Sequence, residues 1–226
     1  WPATSVLRGF AYTVVTVDIN QPEFQGGPPS VEVLLKGKKL YDVRTGLTVW
    51  SNNPALVAYD YLTGPCCNVD PADLPLADFI AATNVCETDM GGGVPTYTFN
   101  GAITSDESQA QALEKIAQSM AGGIVSTTWS IWAGKYTAPV MALDQSDIAG
   151  SIAITPGVSD ADVFNGVKGQ YISPETGYVA TDFTPYAAAA YVIADGKYLW
   201  TNIDFPYTHE VQRVHNLARI FTEDQR

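Results

Sequence analysis

Trp50-Ser-Asn-Asn-Pro-Ala-Leu-Val-Ala-Tyr-Asp-Tyr-Leu62 announces where a helix begins, where it ends and how deeply it sits. Asn53 is a good N-cap, and Pro54 suits the first helical position because its φ is fixed and it has no N–H to leave unpaired. Gly64 and Pro65 supply the stop, so the spacing predicts a helix from 54 to 62. Leu56, Val57, Tyr59, Tyr61 and Leu62 leave only Asp60 clearly polar, which predicts burial on most sides. A helix sheathed in this way asks for more cover than one small domain readily gives, and a subunit interface is one place to find it.

Before this helix the chain reads as β. Residues 10 to 19 are β-branched and aromatic, Gln25 to Pro29 break the chain, and Val31 to Leu35 and Leu40 to Val43 read as strands around Lys36-Gly37-Lys38. Leu47 to Trp50 make a further strand. After it, helices dominate to residue 121. Asp73 is the expected cap of a second helix reaching Cys86, with Leu76, Phe79, Ile80 and Thr83 on its buried face. Gly91-Gly92-Gly93 and Pro95 force a turn that lacks the lysine and following helix of a phosphate-binding loop. Tyr97 to Phe99 reads as a short strand ended by Asn100-Gly101. A third helix is capped by Asp106 or Ser108, with Gln111 completing a capping box and Leu113, Ile116, Ala117 and Met120 on one face until Gly122-Gly123.

Ile124 to Trp132 alternates as a strand, with Trp129 and Trp132 on opposite faces. Residues 139 to 162, rich in Pro, Gly and acids, form the expected boundary. Beyond it, Val163 to Ile172, Ala187 to Ile193 and Lys197 to Ile203 read as strands, Asp195-Gly196 as a hairpin turn, and Thr208 as the cap of a last helix. Val211, Val214, Ala218 and Phe221 should line one side of that helix, leaving Glu210, Arg213 and Arg219 polar. The expected fold class is α+β, with mixed β-sheets or a small barrel and an inserted helical segment. Residues 1–150 form one region (β over 1–50, helical over 53–121, strands over 124–137), and 151–226 form a second β-rich region closed by a helix.

Four stretches besides the first carry a resemblance. Residues 50–62 resemble the Asn-Pro-Ala-(Trp)-x-x-Tyr-Asp-Leu-Leu signature of phage tail tip and baseplate hub proteins of the lambda-like tip attachment type. Tyr97-Thr-Phe-Asn-Gly-Ala-Ile103 with the helix from Asp106 to Met120, then Gly122 to Tyr136, then Asn165 to Tyr178 follow in the family's order. Gln212-Arg213-Val-His-Asn-Leu-Ala218 resembles its closing helix. Leu56 stands where the family commonly has Trp, and Tyr61 where it has Leu. Both keep an apolar side chain. Family members are far longer and residue 1 is Trp, so the chain is expected to be a piece of a larger tail protein. The resemblance implies a structural role in a virion: a homotrimeric ring continuing the tail tube and contacting other tail tip proteins, the distal tail protein, the tape measure protein and a host receptor.

The formal charge is −12 over 226 residues. Residues 1 to 50 hold five basic and four acidic side chains, so a net −13 falls on the rest. Such a field repels nucleic acid, and an acidic lumen would let DNA pass without holding it. No apolar run is long enough to span a membrane.

No catalytic, cofactor-binding or metal-binding set emerges. His209 and His215, six apart on a helix, point about 120° away from each other and cannot share a metal. No Gly-x-Ser-x-Gly elbow exists. Asp144 with Asp147, or Asp160 with Asp162, are the imaginable acid–base pairs of a glycosidase, but they read as solvated loops. Residues 144 to 148 also lack the spaced oxygens of a calcium loop. Cys66, Cys67 and Cys86 read as free thiols, with a bridge from Cys86 to either neighbour left open. Tyr59, Tyr61, Tyr97, Tyr171, Tyr178, Tyr186, Tyr191, Tyr198 and Tyr207 fit strand filling, a subunit interface or a sugar-binding surface. The rival expectation is accordingly a carbohydrate- or receptor-binding module acting in adsorption.

Overall fold

The computed structural model describes residues 14–16, 31–104, 106–147, 150 and 163–225. The chain forms two compact units, 1–37 and 38–226. In the first, the described residues 31–37 have no regular secondary structure. The strand expected over Val31–Leu35 is therefore corrected: no neighbouring segment pairs with it among the described residues, and a strand exists only through its partner. The strand expected over 10–19 lies almost wholly outside the described residues.

The second unit opens with a hairpin of β1 (Lys39–Tyr41) and β2 (Thr48–Trp50), in register Leu40↔Val49. Its turn sits at 42–47, where Asp42 accepts from the backbone N–H groups of Thr45 and Gly46 through its carbonyl and from that of Arg44 through its carboxylate. α1 (Pro54–Thr63) follows, and the Asn53 side chain accepts from the Ala55 N–H as a cap should. No residue of α1 is exposed. The cover comes from this chain itself: α1 packs on β1, on α2 (Leu76–Cys86) and on α3 (Gln109–Ser119). The helix thus needs no partner subunit to be buried.

α2 starts later than expected. Asp70, not Asp73, makes a side-chain cap, and it caps a short 3-10 turn over Pro71–Asp73. Leu74 then plunges into the core. The buried face of α2 is Phe79, Ala82, Thr83 and Cys86, while Leu76 is 47% exposed. α3 carries the full capping box of Ser108 and Gln111. Tyr97–Phe99 is buried but not a strand.

The single strand expected from 124 to 132 is a hairpin, β3 (Gly123–Val125) with β4 (Ser130–Trp132). Its turn places Trp129 at φ +54, in the left-handed region, with the ring against the core. The boundary expected at 150/151 falls where 148–149 and 151–162 lie outside the described residues.

From 163 onward the long strands also break up. β5 (Gly166–Lys168) and β6 (Gln170–Ser173) are separated at Gly169, where a Cβ would collide with the Ile203 carbonyl. β6 turns through Pro174–Thr176 into β7 (Val179–Asp182). β8 is only Tyr186–Ala187, because the alanine run becomes α4 (Ala189–Asp195), whose left-handed C-cap is Gly196. Helix propensity wins over the flanking aromatics here. β9 (Trp200–Asn202) pairs parallel with β5, and β8 pairs antiparallel with its other edge. α5 (Val211–Asp224) packs across β5, β6 and β8. Thr208 does not cap it. That residue is buried and its N–H donates to the Phe205 carbonyl, so the helix begins after Glu210 without a side-chain cap.

The fold is α+β, with five α-helices and small sheets among the described residues. None of the sheets among the described residues closes into a barrel. One apolar core runs from Leu40 through Leu56 and Ile116 to Val167 and Leu217. Phe99 and Tyr207, with ring centroids 4.3 Å apart, join its two ends.

Candidate functional site

The residues singled out in the sequence do not converge. His209 precedes α5 and meets the Tyr178 ring edge-on at 5.3 Å. Burial pushes its pKa below the ordinary value, against an opposing hydrogen bond with the Asn100 backbone. His215 lies on α5 beside Phe183, and its Nε2 is buried without a hydrogen-bond partner among the described residues. Among the described residues no three His, Cys, Asp or Glu side chains gather as a metal site would require. All three cysteines are free, and burial lifts the Cys86 thiol to about 12, which makes it an inert core group. Asp144 accepts from the backbone and hydroxyl of Ser146 and its own N–H donates to Asp147, so that pair folds a local turn. Asp160 and Asp162 lie outside the described residues. The Gly91–Gly93 turn is organised by Asp89, whose carboxylate accepts from the N–H groups of Gly91, Gly93 and Val94.

Several polar groups act as ties inside the scaffold. Arg44 binds both Asp42 and Glu87, and Asn53 donates to the Thr83 carbonyl and to Glu87, fastening the β1–β2 turn to both α1 and α2. The guanidinium beside Asp42 holds that carboxyl below its usual range. Asn165 is fully buried: its amide donates to Asp195 and to the Lys197 carbonyl, and its carbonyl accepts from the Leu199 N–H. One side chain thus clips the α4–β9 loop. Arg213 was expected to stay on the polar side of α5. It is 4% exposed instead, donating from Nε to the Pro95 carbonyl and pairing with Glu210 at 2.8 Å. A buried cation is tolerable only with such partners, and no periodicity in the sequence reveals them.

Two surface features remain. Along α5, Gln212, His215, Asn216 and Arg219 share one face, and Thr184, Pro185 and Tyr186 run opposite, with Met90 joining them around a cleft of about 440 Å³. Next to β5, Tyr198 and Trp200 lie with rings parallel and 5.5 Å apart, 62% and 41% exposed. Gly166 seats the Trp200 ring, since a Cβ there would stand 2.6 Å from it. Of the nine tyrosines noted in the sequence, Tyr97 and Tyr207 are buried and only Tyr178 and Tyr198 are exposed.

No protein-family model matches the chain, and no curated protein matches it either.

Proposed function

We propose that this chain is a structural part of the central hub at the tip of a phage or prophage-derived tail. In this reading it forms a threefold ring with its own copies, continues the tail tube and contacts the distal tail and tape measure proteins. One observation carries the reading. The stretches that resemble the tail tip family supply caps, clips and core residues of the framework. Asn53 and Pro54 start α1, which has no exposed residue, and the Ser108–Gln111 box starts α3. Asn165 clips the last sheet, and Leu217 and Ala218 fill the core from α5. A signature made of caps, clips and core residues is one that selects for architecture. The excess of acidic side chains suits a wall past which DNA must slide without sticking.

Purified particles supply the test. Cross-linking followed by mass spectrometry is expected to find links between copies of the chain and to the distal tail protein. A chain missing from the particles, or present without such links, rejects the proposal.

A second reading rests on Tyr198 and Trp200. A parallel exposed aromatic pair on a sheet edge is the kind of flat surface on which a sugar ring stacks, so adsorption to a host glycan is the alternative role. Glycan-array binding that Trp200→Ala abolishes would favour it over the hub.

A further inference from the structure

The cleft between α5 and the 184–186 segment holds a charge that the scaffold does not use. Three arginines lie among the described residues, in a chain of net charge −12. Arg44 and Arg213 are each tied to carboxylates, whereas Arg219, among the described residues, donates only to the Asn216 side-chain oxygen, at 3.2 Å. The ordinary partner would be Glu223, one turn on. Its carboxylate instead accepts from the Tyr191 hydroxyl. With twice as many acids as bases in the sequence, Arg219 is the one of the three described arginines with no carboxylate on it among the described residues.

A polar helix face ordinarily just faces water. Here Gln212 and Arg219 are exposed, and Thr184, Pro185, Tyr186 and Met90 stand across from them, so that the face is one wall of an open concavity. Arg219 stands there beside the amides of Gln212 and Asn216, with His215 behind them, its Nε2 buried and unpartnered among the described residues. The rest of the lining is mainly apolar. Such a site offers a planar fork for a carboxylate, amide groups beside it and an apolar wall for what carries the carboxylate.

We propose that this cleft binds an acidic peptide segment of a partner protein, one carboxylate on Arg219 and the neighbouring apolar side chain against Pro185, Tyr186 and Met90. The site is independent of the hub reading, since it requires only a partner with an exposed acidic–apolar sequence. Charge complementarity selects the occupant: a carboxylate gains a charge-assisted contact with the exposed guanidinium that a neutral peptide, or a sugar without a carboxylate, does not.

The test uses the chain as it is and two probes, the acetylated and amidated dipeptides Phe-Asp and Phe-Asn, which differ only in charge. Titrated against isotope-labelled protein, Phe-Asp is expected to shift the amide resonances of 184–186 and 212–219, with Phe-Asn at least roughly tenfold weaker. Arg219→Gln should abolish the difference between the probes, and Arg219→Lys should restore part of it, with unchanged thermal melting for both variants. Equal binding of the two dipeptides, no shift in these resonances, or a preference that survives Arg219→Gln would each overturn the proposal. Inorganic phosphate is the remaining arm: binding as tight as Phe-Asp would make this a general anion site and remove the peptide from the claim.

Discussion

α1 and α5 belong to one core, yet they do different work. α1 spans ten residues with none exposed, is capped by a side chain at its start and is closed off by α2, α3 and β1. α5 spans fourteen residues, starts without a side-chain cap, buries Val214, Leu217 and Ala218 on one side and presents Gln212, Asn216 and Arg219 to a cleft on the other. A helix with no exposed residue carries mainly structure, and the one carboxylate that α1 leaves partly open, Asp60, is already paired with Lys38 at 2.8 Å. A helix enclosed on one side can carry both. The contrast locates the scaffold in the first and any recognition in the second.

Substitutions in the enclosed helix should have the largest effects. Leu62 is fully buried, so Leu62→Ala is expected to lose about 2–5 kcal/mol in chemical denaturation, whereas Val211→Ala at the exposed start of α5 should cost less than about 0.5 kcal/mol. Similar losses at the two positions would erase the distinction. Asn53 comes next, because its side chain caps α1 with one end and satisfies the Thr83 carbonyl with the other. Asn53→Ala should cost about 1–3 kcal/mol, and Asn53→Asp should recover the cap but not the lost donor.

Arg44→Met probes the tie between the hairpin and α2, and its expected cost is about 1 kcal/mol, since Glu87 is 43% exposed at its side chain. Asp42 has a depressed pKa in the folded state, so its contribution is complete above the ordinary 3.8 and is lost as pH falls through the lower folded value. Stability measured down that acid range should fall less steeply in Arg44→Met than in the parent.

The smallest effect sits at His209, just before α5. Its folded pKa lies below the ordinary 6.5, so the unfolded chain takes up the proton first and stability declines as pH drops below that value. His209→Phe should flatten the melting temperature between about pH 7 and about pH 5. An unchanged slope would mean that burial does not govern this group.

What the sequence made legible follows the same division. Asn53-Pro54 and Ser108-x-x-Gln111 are local signals whose hydrogen bonds close within three residues, and both helices start where those signals stand. Thr208 and Asp73 carry the same chemistry but cap nothing, because Tyr207 and Leu74 beside them are drawn into the core and fix the backbone elsewhere. The strands of 123–132 and 166–173 are legible as extended chain, while their breaks are set by turns that need a folded neighbour, as at Trp129 and Gly169. The α4 alanines were overruled the other way, by propensity. The cleft was invisible in advance. Its polar residues look like an ordinary solvated helix face until Pro185 and Tyr186, some thirty residues away, stand opposite.

A three-dimensional map of the intact particle decides whether this chain is part of a tail tip. The 38–226 fold is expected at the tail tip in three copies around the channel, with α1 buried inside each copy and the copies meeting through other surfaces. Density for this fold away from the tail tip, or its absence from the particle, would contradict it.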